Sequence, residues 1–228
     1  MESYLTKNIS ARYNSRFQKT TIIQVYAPTN DAHEDDKEDF YHSLQTVIDK
    51  VPKRDVLIVM GDFNAKVGSE REGREREIGP HGIGQMNENG ERLADLCAVN
   101  NLVIGGTLFP HKNCHKVTWV SPARNAQNQI DHIAISQRWR SSLQDVRAKR
   151  GADAASDHQL VVGYIHLKLL AVKRSKTNKE NLMLENLKIP LLKNSFNFHY
   201  KTDLQFWKNC SQKMKMSTQL GKETNKQF

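Results

Sequence analysis

The chain has no long hydrophobic run, only three cysteines and few aromatic residues. Its longest uninterrupted apolar stretch is Val56-Leu57-Ile58-Val59-Met60, far short of the roughly 20 residues that a membrane-spanning helix needs. Cys97, Cys114 and Cys210 are an odd number without paired spacing, which argues against a disulfide framework and for a reducing compartment. Met1-Glu2-Ser3-Tyr4-Leu5 has neither the basic nor the apolar section of a secretory signal, so a nuclear or cytoplasmic location is expected. Repeats and low-complexity blocks are absent too, which excludes solenoids and propellers. What is there, 38% hydrophobic and 7% aromatic residues in 228, is on the polar side for a globular chain but enough to bury a core.

Charge is abundant and unevenly placed. Basic and acidic side chains balance at 21 each up to residue 167, whereas residues 168 to 228 hold 13 basic and 4 acidic, the whole of the +9 net charge. The expected organisation is therefore a neutral domain over 12–168 and a basic tail over 169–228. Such a tail suits a polyanionic partner, nucleic acid or a phospholipid surface; a solvated tail without a partner is the other reading.

The domain reads as alternating strands and helices. Thr20 to Tyr26 is β-branched and aromatic, then stopped by Ala27-Pro28-Thr29-Asn30, a strand entering a turn. Glu34 to Val51 places Phe40, Leu44, Val47, Ile48 and Val51 on one helical face, with an acidic start and with Lys50, Lys53 and Arg54 at its end, matching the helix dipole. Asp55 to Met60 reads as a buried central strand. A charged, glycine-containing loop follows from Lys66 to Asn89, long enough to be functional or mobile. Asn89-Gly90-Glu91 opens a helix with Leu93, Leu96 and Cys97 inward, and further strands are expected at Leu102–Ile104, Val117–Val120, Gln129–Ile135 and Gln159–Leu167. The pattern predicts layered α/β architecture.

Polar residues interrupt these strands at three places: Asp62 with Asn64, Asp131 after Gln129-Ile130, and Ser156-Asp157-His158 before Gln159-Leu160. One carboxylate at a strand end caps a turn more often than it binds a ligand. Three such clusters supply hard oxygen ligands, a base and a phosphate donor, the inventory for phosphodiester hydrolysis.

Gly61-Asp62-Phe63-Asn64, Gln129-Ile130-Asp131 and Ser156-Asp157-His158, preceded by Val25-Tyr26-Ala27-Pro28, resemble the endonuclease/exonuclease/phosphatase superfamily. Gly82-Ile83-Gly84, Asn87 to Leu93, Thr118-Trp119-Val120-Ser121-Pro122 and Arg150-Gly151-Ala152-Asp153 are similar to the apurinic-type endonuclease domain of LINE-type retrotransposons and to the craniofacial development protein 2-like proteins. The resemblance implies a four-layer α/β sandwich, here partial, that cleaves phosphodiester bonds with magnesium or manganese and grips the phosphate backbone of DNA, with no membrane and no small-molecule cofactor. It gives Asp62 the attacking water, Asn64 a hydrogen bond to phosphate or water, and His158 the scissile phosphate with Asp131 orienting its ring. Tyr26 lends its hydroxyl to the phosphate, and Asp62, Asn64, Asp157 and His158 form the implied metal set. Asn87 is either a DNA backbone contact or a turn residue.

The resemblance also implies a metal-binding Glu and an Asn on strands before the Tyr26 segment, where this sequence has 25 residues and the single carboxylate Glu2. A chain truncated at its N-terminus, with weak or no nuclease activity, is the expectation. A non-catalytic nucleic-acid-binding or partner-binding remnant and a phosphatase of the same superfamily are the alternatives. His111, Cys114 and His115 lack a second ligand pair at zinc spacing. Trp119 and Trp139 read as packing residues, and Arg138 and Arg140 as phosphate contacts or a solvated helix end. In the tail, Lys173-Arg174-Ser175-Lys176 and the aromatics from Phe196 to Trp207 read as a nuclear-localisation or nucleic-acid-binding signal, or as the start of a further region.

Overall fold

The computed structural model describes residues 8–15, 18–123, 126–151 and 156–167, and the backbone of 194–200. Ala152-Asp153, Lys173-Arg174-Ser175-Lys176, Phe206 and Trp207 lie outside the described residues.

The first half of the chain makes a parallel strand pair around a helix. β1 (Ile9–Asn14) runs antiparallel to β2 (Lys19–Tyr26), and β2 runs parallel to β3 (Val56–Asp62). Parallel neighbours need a crossover, supplied by α1 (Glu34–Asp49), which buries Phe40, Leu44 and Ile48 at every fourth position. Its first turn is acidic as expected, but no basic residue falls in its last turn; Lys50 is already the C-cap. α2 (Glu88–Val99) buries Leu93, Leu96 and Cys97. β4 (Leu102–Ile104) and β7 (Asp131–Ser136) complete a five-stranded sheet in the order β1-β2-β3-β7-β4, with β7 antiparallel to both neighbours. All seven residues of β3 are buried, as its central place requires.

A second sheet joins β8 (Leu143–Lys149), β9 (Leu160–Leu167) and β10 (Asn194–Tyr200), all antiparallel in the order β10-β9-β8. β10 comes from the segment that the sequence assigns to the tail; its pairing of Asn194 with Leu167 and Tyr200 with Val161 adds that segment to the second sheet. β5 (Trp119–Val120) and β6 (Gln127–Asn128) form a short ribbon.

The period-2 alternation of strand side chains sorts the core into two layers. Leu57 and Val59 of β3 face the helices with Phe40, Leu44 and Leu93, whereas Val56, Ile58 and Met60 face the second sheet with Ile133, Val146, Val161 and Ile165. The architecture is thus α/β: helices on one face of the five-stranded sheet, the three-stranded sheet on the other. No helix among the described residues is long and apolar enough to cross a membrane.

Candidate active site

Adjacent strands deliver three of the expected residues to one end of the large sheet. Tyr26 pairs with Asp62 across the parallel β2–β3 ladder, and Asp62 pairs with Asp131 across the antiparallel β3–β7 ladder. Gly61 makes this close approach of β2 to β3 feasible: its φ is +147°, and a Cβ there would lie 2.0 Å from the Val25 carbonyl oxygen. Only glycine fits both constraints. Beyond Asp62 the chain turns through Asn64 at φ +49°, a left-handed conformation that Asn tolerates. The Asn64 N–H donates to Asp62 Oδ1 at 2.9 Å and its side-chain amide to the Ala27 carbonyl at 3.0 Å.

His158 closes the cluster from a turn before β9. Its Nδ1 donates to Asp131 Oδ2 at 3.0 Å, and its Nε2 faces Asp62 Oδ2 at 3.9 Å. A carboxylate partner at Nδ1 fixes which nitrogen carries the proton in the neutral ring. Asp131 is set in turn by its backbone N–H, which donates to Thr118 Oγ1 at 3.1 Å; the Ile130 N–H shares that acceptor at 3.0 Å.

The electrostatics follow from burial. Asp62 is 2% exposed; desolvation, then the charge on Asp131, push its carboxyl up to about 7 against the opposing His158. For His158, burial disfavours the cation, but the Asp131 hydrogen bond and the charges of Asp131, Asp62 and Asp157 outweigh it and raise the ring above its usual value. Asp62, Asp131 and His158 each offer a ligand atom within 4.8 Å of the others. The fit to a divalent cation is good on this chemistry: two buried carboxylates and an imidazole converge, and the Asp62 carboxylate, disfavoured by burial and by the charge on Asp131, would gain from a hard positive charge.

Asp157 is outside that trio but near enough for its charge to act on Asp62 and His158. Its Oδ2 accepts the Trp119 indole N–H at 2.6 Å, a contact that a packing role for Trp119 did not anticipate. Asn87 is a turn residue: it caps α2, accepting from the N–H groups of Gly90 and Lys66 at 2.8 Å each, and its amide donates to the Asn64 carbonyl at 3.2 Å. Sequence reasoning missed Asn89, which is 1% exposed and donates to the carbonyls of Pro28 and Asn64 at 3.1 and 3.3 Å. It also missed the acceptor role of Thr118. Neither residue carries a local signal, since both act on backbone groups far away in the sequence.

His111 pairs with Asp145 at 2.5 Å, and among the described residues His111, Cys114 and His115 form no metal-competent group. Arg138 and Arg140 line a cleft of about 430 Å³ with Phe109 and Leu143. It lies at the far end of β7, away from Asp131.

Residues 20–162 match the family described as endonuclease-reverse transcriptase. Over 195 residues the chain is 41% identical to craniofacial development protein 2 of Bos taurus, covering 82% of this chain and 32% of that protein. Over 171 residues it is 43% identical to craniofacial development protein 2 of Tragulus javanicus, covering 73% and 29%. The chain thus spans about a third of the length of these curated relatives. Among solved structures, the endonuclease domain of TRAS1, a telomere-specific non-LTR retrotransposon, superposes with a TM-score of 0.50 at 18% identity, covering 71% of this chain and 64% of that domain. At that identity the likeness concerns the fold.

Proposed function

Since the chain belongs to the endonuclease-reverse transcriptase family, we propose that the Asp62/Asp131/His158 cluster hydrolyses phosphodiester bonds of DNA with a divalent cation, magnesium or manganese. The observation that carries this reading is the Asp131–His158 hydrogen bond at 3.0 Å with Asp62 facing the opposite ring nitrogen. In this arrangement Asp62 orients the attacking water and takes its proton, a task suited to a carboxyl whose burial lifts it toward neutrality. His158, its Nδ1–H on Asp131 and its cationic form favoured by the neighbouring carboxylates, donates through Nε2–H to the scissile phosphate. Asn64, tethered through its N–H to Asp62 and through its amide to Ala27, would bond the phosphate or the water, and Tyr26 would add its hydroxyl from the neighbouring strand. Asp62, Asn64 and Asp157 are the residues that would hold the cation, whose chemistry is to neutralise charge developing on the phosphate oxygens; a His158 that donates to Asp131 and to the phosphate has no ring nitrogen left for it.

The test is nicking of supercoiled plasmid by the purified chain. Slow magnesium-dependent nicking, lost in Asp62→Ala and in His158→Ala, is the expected result. No cation-dependent nicking, with salt-sensitive DNA binding that ignores Asp62→Ala, would make the chain a binding module, since phosphate neutralisation needs no catalytic carboxylate. Turnover of inositol phosphates in place of DNA would mark a phosphatase.

A further inference from the structure

One short segment, Thr118 with the strand β5, reaches three groups of the site through separate bonds. Thr118 Oγ1 accepts from Asp131 N at 3.1 Å, Trp119 of β5 bridges His158, and the Trp119 indole donates to Asp157 Oδ2 at 2.6 Å. Main-chain bonds tie the same segments: Val120 N donates to the Asp157 carbonyl at 3.1 Å, and Gln159 N donates to the Thr118 carbonyl at 2.6 Å. β6 braces Trp119 from the other side through the Asn128 pairing.

Asp157 is exposed, on a turn. A carboxylate in that setting samples several rotamers, and an indole N–H, which can only donate, selects among them and engages one oxygen. We infer that Trp119 is a positioning residue for Asp157, engaging Oδ2 so that Oδ1 remains for a divalent cation at the Asp62 cluster. The inference rests on the cation-dependent reading above and adds to it a residue that touches neither cation nor substrate. Partners that orient ligating groups in this way set affinity: losing one typically costs about 10–100-fold.

Manganese alone, titrated into the full chain, is the probe. Free Mn²⁺ is followed by electron paramagnetic resonance, and the indole N–H resonances by heteronuclear NMR. Trp119→Phe, which keeps an aromatic ring and deletes the donor, weakens Mn²⁺ binding about tenfold or more, while Trp139→Phe leaves it unchanged. In the wild-type chain Mn²⁺ broadens the Trp119 indole resonance before that of Trp139. Equal affinity of wild type and a folded Trp119→Phe overturns the inference; if Asp62→Ala still weakens binding, the proposed site survives. Absence of Mn²⁺ binding to the wild type overturns both. Should Trp119→Phe fail to fold, Asp157→Asn decides: unchanged affinity there overturns the inference as well.

Discussion

Asp62 and Asp131 sit side by side at the ends of long paired strands, whereas His158 and Asp157 ride on a turn that meets the body through a two-residue strand and side-chain bonds. The first wall is buried and set by ladder register. The second has His158 partly buried and Asp157 exposed, and is set by Thr118, Trp119 and Asp131 itself. The contrast assigns stability to one wall and adjustability to the other: damage to the strand wall is felt as unfolding, damage to the turn wall as lost alignment in a folded chain.

The largest effect that sharpens this contrast is expected at Phe63, 0% exposed between Asp62 and Asn64. Phe63→Ala destabilises by about 3–5 kcal/mol through lost burial and a cavity, read from urea denaturation, while Trp119→Phe on the turn wall stays within about 0.5 kcal/mol. Reversed magnitudes would break the distinction.

The next effect is a pH dependence of the strand wall in chelator. Unfolded, Asp62 ionises near 3.8; folded, it holds its proton up to about 7. The folded state therefore binds the extra proton between those values, and stability falls as pH rises across that window. His158, raised above 6.5 in the fold, stabilises below that value and loses the contribution as pH climbs through its folded value. Asp62→Asn removes the first contribution, so its denaturation midpoint drops less than the wild type's between pH 4 and pH 8, by the equivalent of about 1–4 kcal/mol.

Thr118→Val keeps shape and strips the acceptor from the Ile130 and Asp131 N–H groups. A loss of about 1–3 kcal/mol is expected by thermal denaturation. The smallest effect belongs to Asn87→Ala, which uncaps α2 at a cost of about 0.5–2 kcal/mol and loosens the Lys66 and Asn64 contacts.

The strand wall is the part that was legible in the sequence. β3 is a continuous apolar run ending at Gly-Asp, β2 is a β-branched and aromatic run stopped by a turn, and apolar periodicity near 3.6 marks α1 and α2 because each buries one face. β8 escaped because a register shift between Leu143 and Asp145 interrupts its alternation. β1 escaped because most of its residues are exposed and leave no apolar pattern. The turn wall was legible as residue types and not as connections: Trp119 meets Asp157 across 38 positions, and nothing in either neighbourhood announces the other.

The pairing of Asp62 with Asp131 joins positions about 70 apart in sequence, roughly twice the span of the β2–β3 pairing, so its closure costs about 0.6 kcal/mol more. The β1–β2–α1–β3 unit can form from nearer contacts while β7 is still being synthesised or searching for its place, since distant pairings are slow to find. The reacting groups therefore meet only when the last strand inserts between β3 and β4, and a nascent chain already holding half a sheet has no chemistry to misdirect.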